Sequence, residues 1–383
     1  MHMPKICSFL PATFMAMLFF GPAGISARGE ADLATALDRL KAVGPMGAGN
    51  AAAQDAWLQV VAAGPDQLCT VLAAFEGSNP LAENWLRGAA DAIAERALAN
   101  GNGLPAQDLE AFILDQSHAP RARRVAFEWL ARVDPSAPDR LIPRFLNDAN
   151  LEFRREAVER LRVLARQRAE AGEETAAAAL LEEAFNAARD EDQIEALAQE
   201  LEKRGKQVDL VRHYGFICVW RLIAPFDNTD QRAFDVEYPP EKELAFSARY
   251  TGKAGAEAAW FEHATEDPHG LVDLNKAIGP VKGAVAYACA EFHAAEPREA
   301  ELRLSTVNAV KLWLNGEPLL EKEVYHSGTA LDQYVAPARL RRGRNVILLK
   351  ICQTEQTEPW AQDWSFRLRV CDKVGTAVLP SNP

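Results

Sequence analysis

The sequence is poor in the features that announce chemistry. Its six cysteines, at positions 7, 69, 218, 289, 352 and 371, form no Cys-x-x-Cys pair, which excludes a zinc ribbon, and their wide, irregular spacing excludes a dense disulfide framework. No Gly-x-Ser-x-Gly, His-Glu-x-x-His or phosphate-loop pattern occurs, so the commonest hydrolase and nucleotide-binding readings have no support. Positive charge is in deficit: 42 Lys and Arg stand against 54 Asp and Glu, for a formal net charge of -12. An acidic chain with no basic block is a poor partner for nucleic acid. Long apolar runs are missing too, except for residues 6–20, and that run is broken by Pro11 and falls short of the roughly 20 residues that span a bilayer.

What is present begins with that run. Lys5, the apolar stretch, then Gly21, Pro22 and small residues ending at Ala27 have the layout of an export signal cleaved near Ala27. Cys7 lies upstream of the apolar core, so no lipid anchor or lasting membrane insertion is expected. With 48% hydrophobic and 25% charged residues, the remainder should fold, and 383 residues suit two domains better than one.

From Ala31 to about Lys206 apolar residues return every three or four positions, the period of helices. Gly44-Pro45, Gly64-Pro65, Asn79-Pro80, residues 101–105, Ala119-Pro120, Asp134-Pro135 and Gly172 cut the region into nine or ten helices. Arg123-Arg124-Val125-Ala126 with Leu130 overlays Arg154-Arg155-Glu156-Ala157 with Leu161, and Trp85 to Ala90 is a looser copy. Small residues at such intervals suit closely crossing helix pairs, with the arginines at the solvent edge. Phe127, Leu130, Ile142, Phe145, Val158 and Leu161 are then core, and the arginines form either a solvated face paired with Glu128, Glu156 and Glu159 or a surface for an acidic partner.

After Gly205 the period changes to two. Residues 216–222 are apolar on both faces, as in a strand buried inside a sandwich, while Leu302 and Leu304, and Phe366, Leu368 and Val370, alternate with polar residues. Further strands are expected at residues 257–261, 285–293 and 345–352, which places Cys218, Cys289, Cys352 and Cys371 in strands as small buried hydrophobes. Asn315-Gly316, after Val310-Lys311-Leu312-Trp313-Leu314, predicts a tight hairpin. Eight or nine such strands suit a jelly roll.

Two resemblances follow. The helical segment resembles HEAT-type repeats. The ordered set Trp220 to Asn228, Phe234-Asp235, Tyr238-Pro239-Pro240-Glu241, Val310 to Gly316, Asp332-Gln333 and Gly343 to Lys350 resembles a galactose-binding-like β-sandwich module found in exported bacterial proteins. The expected architecture is multidomain, α then β: a leader (1–27), a helical repeat array (28–206), an antiparallel jelly-roll sandwich (207–374) and a tail (375–383). What the resemblance implies is a noncatalytic, often carbohydrate-directed accessory domain. Modules of this kind sometimes hold calcium, but no loop here carries acidic residues at alternate positions, and no cofactor or metal is expected.

Candidate ligand residues lie in loops, where function concentrates. Asp227 and Asn228 follow the first strand, Asp332 precedes a late one, and Trp360 lies in the polar stretch 355–363; each offers hydrogen-bonding groups or a stacking face to a sugar, or else shapes a turn. Trp313 is out of phase with Val310, Leu312 and Leu314, so it either stacks on a sugar or packs beneath a loop. Lys350, among apolar residues, is read as ion-paired or snorkelling. His263, Asp267 and His269 are close in sequence, but match no helical metal pair. The partners implied are a glycan for the sandwich and a protein for the helices. The rival readings are a purely structural interaction protein and a polysaccharide hydrolase with its site between the domains.

Overall fold

The structure is a computed structural model describing residues 23–381, with side chains described from residue 31. The leader expected over residues 1–27 lies outside the described residues except for positions 23–27, which begin the first helix. No described helix is long and apolar enough to cross a membrane. The chain divides into two compact units, Met1–Leu141 and Ile142–Pro383.

The first unit is helical: α1 (Ala23–Lys41), α2 (Asn50–Val61), α3 (Leu68–Ala73), α4 (Pro80–Ala99), α5 (Ala106–Leu114), α6 (Pro120–Val133) and α7 (Ala137–Leu141). Its helices begin where local chemistry dictates. Asn79 caps α4 by accepting the N–H groups of Leu81 and Ala82, and Pro80 and Pro120 occupy first-turn positions that need no donor. Across α4 and α6, the indole N–H of Trp129 donates to Asp91 at 2.8 Å and Arg87 pairs with Glu128 at 2.5 Å.

The second unit opens with α8 (Leu151–Glu170), α9 (Glu174–Ala187), α10 (Glu191–Glu202) and the short α11 (Leu210–Tyr214). The link from α8 to α10 has the spacing seen in the first unit: Arg155 binds Asp192, and Arg162 binds Glu200 at 2.7 Å, with 37 and 38 residues between partners against 41 and 38 for the α4 to α6 pair. The arginines divide into two kinds. Arg124, mostly covered, and Arg155, 45% exposed, pair with carboxylates. Arg123 and Arg154, expected at the solvent edge, are 1% and 5% exposed. Their guanidinium groups turn back to cap the preceding chain, Arg123 Nε donating to the Ile113 carbonyl at 2.7 Å and Arg154 Nε to that of Asp148 at 2.9 Å. A buried carbonyl at a helix end needs a donor, and the long arginine reaches it.

The sandwich follows in the same unit. Its elements are β1 (Val219–Asp227), α12 (Pro239–Lys242), β2 (Arg249–Thr251), β3 (Glu257–Ala259), β4 (Phe261–Ala264), β5 (Val272–Asp273), α13 (Leu274–Ala277), β6 (Ala284–Ala294), β7 (Arg298–Thr306), β8 (Ala309–Leu314), β9 (Glu317–Lys322), β10 (Tyr334–Leu340), β11 (Gly343–Cys352) and β12 (Ser365–Cys371). They form an antiparallel six-stranded sheet, β4-β1-β6-β11-β8-β9, a four-stranded sheet, β10-β7-β12-β5, and a small β2-β3 pair. The described residues hold twelve strands against the eight or nine expected, in part because the excursion between β1 and β6, where one strand was expected at 257–261, carries four short ones. The first strand starts at Val219 rather than Phe216, which makes only an isolated bridge to Arg369, and this leaves Cys218 outside a strand. Residues expected as a tail join the sandwich: Ala377 bridges Cys371, and Val378 is buried in the core.

Side-chain phase explains the layers. In β6, alanines 284, 286, 288 and 290 face the second sheet while Val285, Tyr287 and Cys289 face the other way, so the central strand is buried on both sides. Val310, Leu312 and Leu314 share the inter-sheet core with Leu302, Leu304, Phe366 and Leu368. Trp313 points opposite and packs half-buried on a second cluster containing Phe226, Phe234 and Leu348. The Asn315-Gly316 turn forms, both residues adopting positive φ (55° and 84°). Lys350, wholly buried, donates to the Phe234 and Val236 carbonyls at 2.9 and 2.7 Å and pairs with Glu241 at 3.0 Å, holding the excursion onto the sheet. All five cysteines among the described residues are free thiols, and burial pushes those of Cys289 and Cys352 up to about 12.

Candidate functional site

At one end of the sandwich the loops 227–231, 274–283, 306–309, 323–333 and 353–364 are knitted together by polar contacts. Asp227 closes β1. Its carboxylate accepts the Thr229 hydroxyl at 2.7 Å and the Lys253 ammonium at 2.8 Å, and that ammonium, followed by the Thr229 hydroxyl, holds the acid below the usual range. Lys253 also donates to Thr229 and to the Gly283 carbonyl, so one ammonium fastens three loops. Asn228 is 1% exposed. Its amide donates to the Gln353 carbonyl at 2.9 Å and accepts the Ala233 N–H at 3.0 Å, so it builds the loop and has nothing left for a ligand.

Trp360 is different. It sits in a short 3-10 turn, is 60% exposed, and rests edge-on against His326 with ring centroids 4.9 Å apart. His326 is in turn held by the Thr354 hydroxyl at 3.1 Å. A tryptophan more than half exposed and held by a T-shaped ring contact is a candidate stacking platform.

Asp332 lies away from this cluster, on the outer face of the four-stranded sheet. Its Oδ1 accepts Arg369 Nε at 2.7 Å, while Oδ2 accepts Arg369 Nη2 at 2.6 Å and Arg303 Nη1 at 2.7 Å. Burial pushes this carboxyl up, but the bonds and charge of Arg369, then of Arg303, outweigh it and the pKa falls below the ordinary value. Arg369 continues to the Tyr214 and Gly375 carbonyls. Asp332 is thus an ionic clamp, fully engaged by protein.

Sequence reasoning missed a cavity of about 370 Å³ on this outer face, whose lining includes Asp267, His269, Asp273, Asp363, Trp364 and Arg367. Two of its carboxylates are occupied: Asp267 accepts the N–H groups of His269 and Leu271, and Asp273 caps α13 and pairs with Lys276 at 3.3 Å. His269 is tied to Glu195 of α10 at 3.0 Å. His263 lies in β4 opposite Trp220, and among the described residues no group of three or more His, Cys, Asp or Glu side chains is placed to hold a metal. The sequence signal for the cavity was faint, because Ser365, Arg367 and Arg369 read alike as the polar side of one strand.

No protein-family model matches the chain, and no curated protein does. Among solved structures it is similar to a β-glucosidase from Kluyveromyces marxianus in complex with glucose (12% identity, 40% of this chain and 16% of that one, TM-score 0.25). A family 35 carbohydrate binding module from Clostridium thermocellum also matches (16% identity, 23% and 71%, TM-score 0.17), as does an anti-sigma factor domain-containing protein from Clostridium clariflavum (11% identity, 44% and 48%, TM-score 0.25). The chain spans about a sixth of the glucosidase's length. At these scores the likenesses carry no argument.

Proposed function

We propose that this is an exported, noncatalytic binding protein whose sandwich engages a glycan at the loop end bearing Trp360, while the helices serve as a scaffold for a protein partner. In this reading the helices are HEAT-like repeats, the sandwich is a galactose-binding-like jelly roll, and residues 1–27 are a leader removed on export. The observation that carries it is Trp360 itself, a large aromatic 60% exposed on a braced loop. An exposed indole offers a large apolar face that keeps a polar N–H, the combination that makes tryptophan frequent at binding interfaces. Noncatalytic action is supported by the state of the carboxylates: glycoside hydrolysis needs two acting together, and of the three aspartates lining the cavity Asp267 and Asp273 are engaged by the fold.

The test is affinity electrophoresis and pull-down of the full chain against insoluble and soluble polysaccharides, with Trp360→Ala alongside. At least one polysaccharide should retain the wild type, and the variant should lose about tenfold or more in affinity, taking the scale of roughly 1–3 kcal/mol that a nucleobase gains by stacking on an aromatic as the guide for a sugar ring. Its thermal stability should hold within about 0.5 kcal/mol, as for other surface changes. Equal retention of both proteins would remove Trp360 from the site.

A further inference from the structure

The outer-face cavity contains groups the fold does not use. Arg367 points from the polar side of β12, in register with Ser305 of β7, and among the described residues its guanidinium makes no hydrogen bond or ion pair. Its strand neighbour Arg369 shows what the fold does with an arginine it needs, engaging it with Asp332, Tyr214 and Gly375. Asp363, exposed at the rim of the same cavity, likewise has a carboxylate without a hydrogen bond or ion pair, and the hydroxyls of half-buried Ser365 and exposed Thr329 make no side-chain hydrogen bond. Trp364, a further lining residue, is fully buried with an indole N–H that lacks an acceptor. Neither charge is used by the fold, so both the half-buried guanidinium and the exposed carboxylate remain free to meet a ligand.

We propose that this cavity is a second subsite that takes one neutral pyranose ring of the bound glycan, its hydroxyls accepting from Arg367 and donating to Asp363. The inference rests on the glycan reading above and names the chemistry of a pocket that reading does not use. A hydroxyl is both donor and acceptor, so adjacent hydroxyls on one ring satisfy a guanidinium and a carboxylate together. A uronate would answer Arg367 alone and bring its own negative charge into a cavity lined by three aspartates and a single arginine. About 370 Å³ lies at the small end of the range of roughly 300–1,000 Å³ for ligand pockets, the scale of one ring rather than a chain segment. Continuity with the platform comes from sequence: Trp360, Asp363, Ser365 and Arg367 lie on one short stretch running from the loop into β12.

The experiment titrates the full-length protein with methyl β-galactoside, methyl β-glucoside and glucuronate by saturation-transfer NMR and calorimetry, and repeats the polysaccharide assay. The proteins are wild type, Arg367→Met, Arg367→Lys, Asp363→Asn and Trp360→Ala. A neutral glycoside should bind wild type, and both Arg367→Met and Asp363→Asn should weaken it at least tenfold. Arg367→Lys, which keeps the charge without the fork, should show an intermediate loss and checks that the effect is not misfolding. Trp360→Ala should retain glycoside binding while losing polysaccharide. Polysaccharide binding that needs Trp360 but ignores Arg367 and Asp363 would overturn the subsite and leave the glycan reading standing. Tighter binding of glucuronate than of either glycoside would overturn the neutral assignment, and no binding of any sugar by wild type would overturn both.

Discussion

Asp332→Asn should be among the most damaging conservative substitutions in the sandwich. Asp332 sits at φ 59°, in the left-handed region that asparagine tolerates as well as aspartate, so this change leaves the backbone preference alone and tests the charge. It removes the anion from between two guanidinium groups, with Arg369 3% exposed and unable to turn to solvent. Breaking a buried ion pair from one side costs about 3–5 kcal/mol, most of it from the charge left behind. Urea denaturation followed by the fluorescence of Trp220 and Trp364, both buried in the sandwich core, reads this out. With a slope of about 3 kcal/mol/M the midpoint should fall by roughly 1 to 1.7 M. The pH dependence gives a second check. The folded pKa of Asp332 is depressed, so its stabilisation is complete above the unfolded value of about 3.9 and is lost as pH falls through the folded value. Wild type and variant should therefore converge in acid. A difference under about 1 kcal/mol at pH 7, or one that persists unchanged into acid, would refute the clamp.

Two further expectations follow from buried cations. Lys350→Met should destabilise by about 3–5 kcal/mol, because Glu241 and two carbonyls lose their partner beneath the excursion, and hydrogen exchange should rise first at residues 234–241. Arg154→Met and Arg123→Met should each cost about 1.5–3 kcal/mol by thermal denaturation, whereas Arg155→Met, whose side chain is 45% exposed in a salt bridge, should cost less than about 1 kcal/mol.

The fold was legible where period and turn chemistry agree. Helix breaks at Asn79-Pro80, Ala119-Pro120 and Gly172 fall where the helices end or begin, because proline and glycine act locally. The Asn315-Gly316 hairpin and the phase of Trp313 are likewise local facts. Burial of charge was not. Arg123 and Arg124 are adjacent and chemically identical, yet one is buried to cap the carbonyl of Ile113 and the other faces Glu128. Which way each points depends on what the preceding helix end leaves unpaired, and that is set by tertiary placement. The excursion between β1 and β6 was legible only at residues 257–261, where β3 and the start of β4 lie, since its other short strands and turns carry no sustained period.

The same distinction governs the site. Asp227, Asn228 and Trp360 were gathered from loops, and the contacts of Asn228 with Gln353, of His326 with Thr354 and of Trp360 with His326 do bring them to one end of the sandwich. Yet loop position alone could not separate a polar group that builds the end from one that faces a ligand; that depends on whether partners arrive from elsewhere in the chain. Asn228 finds them 125 residues away and Asp332 finds Arg369 at a separation of 37, so both are consumed by architecture. Trp360 meets the His326 ring yet stays 60% exposed, and among the described residues Arg367 makes no hydrogen bond or ion pair. The clamp still bears on binding, because Asp332 anchors the far end of the loop that carries His326, the brace of Trp360, and Thr329, a wall of the cavity. If the proposed glycan reading holds, the clamp at Asp332 would keep the loop carrying His326 and Thr329 in place before a sugar arrives, and pre-placement of this kind lowers the entropic cost of binding.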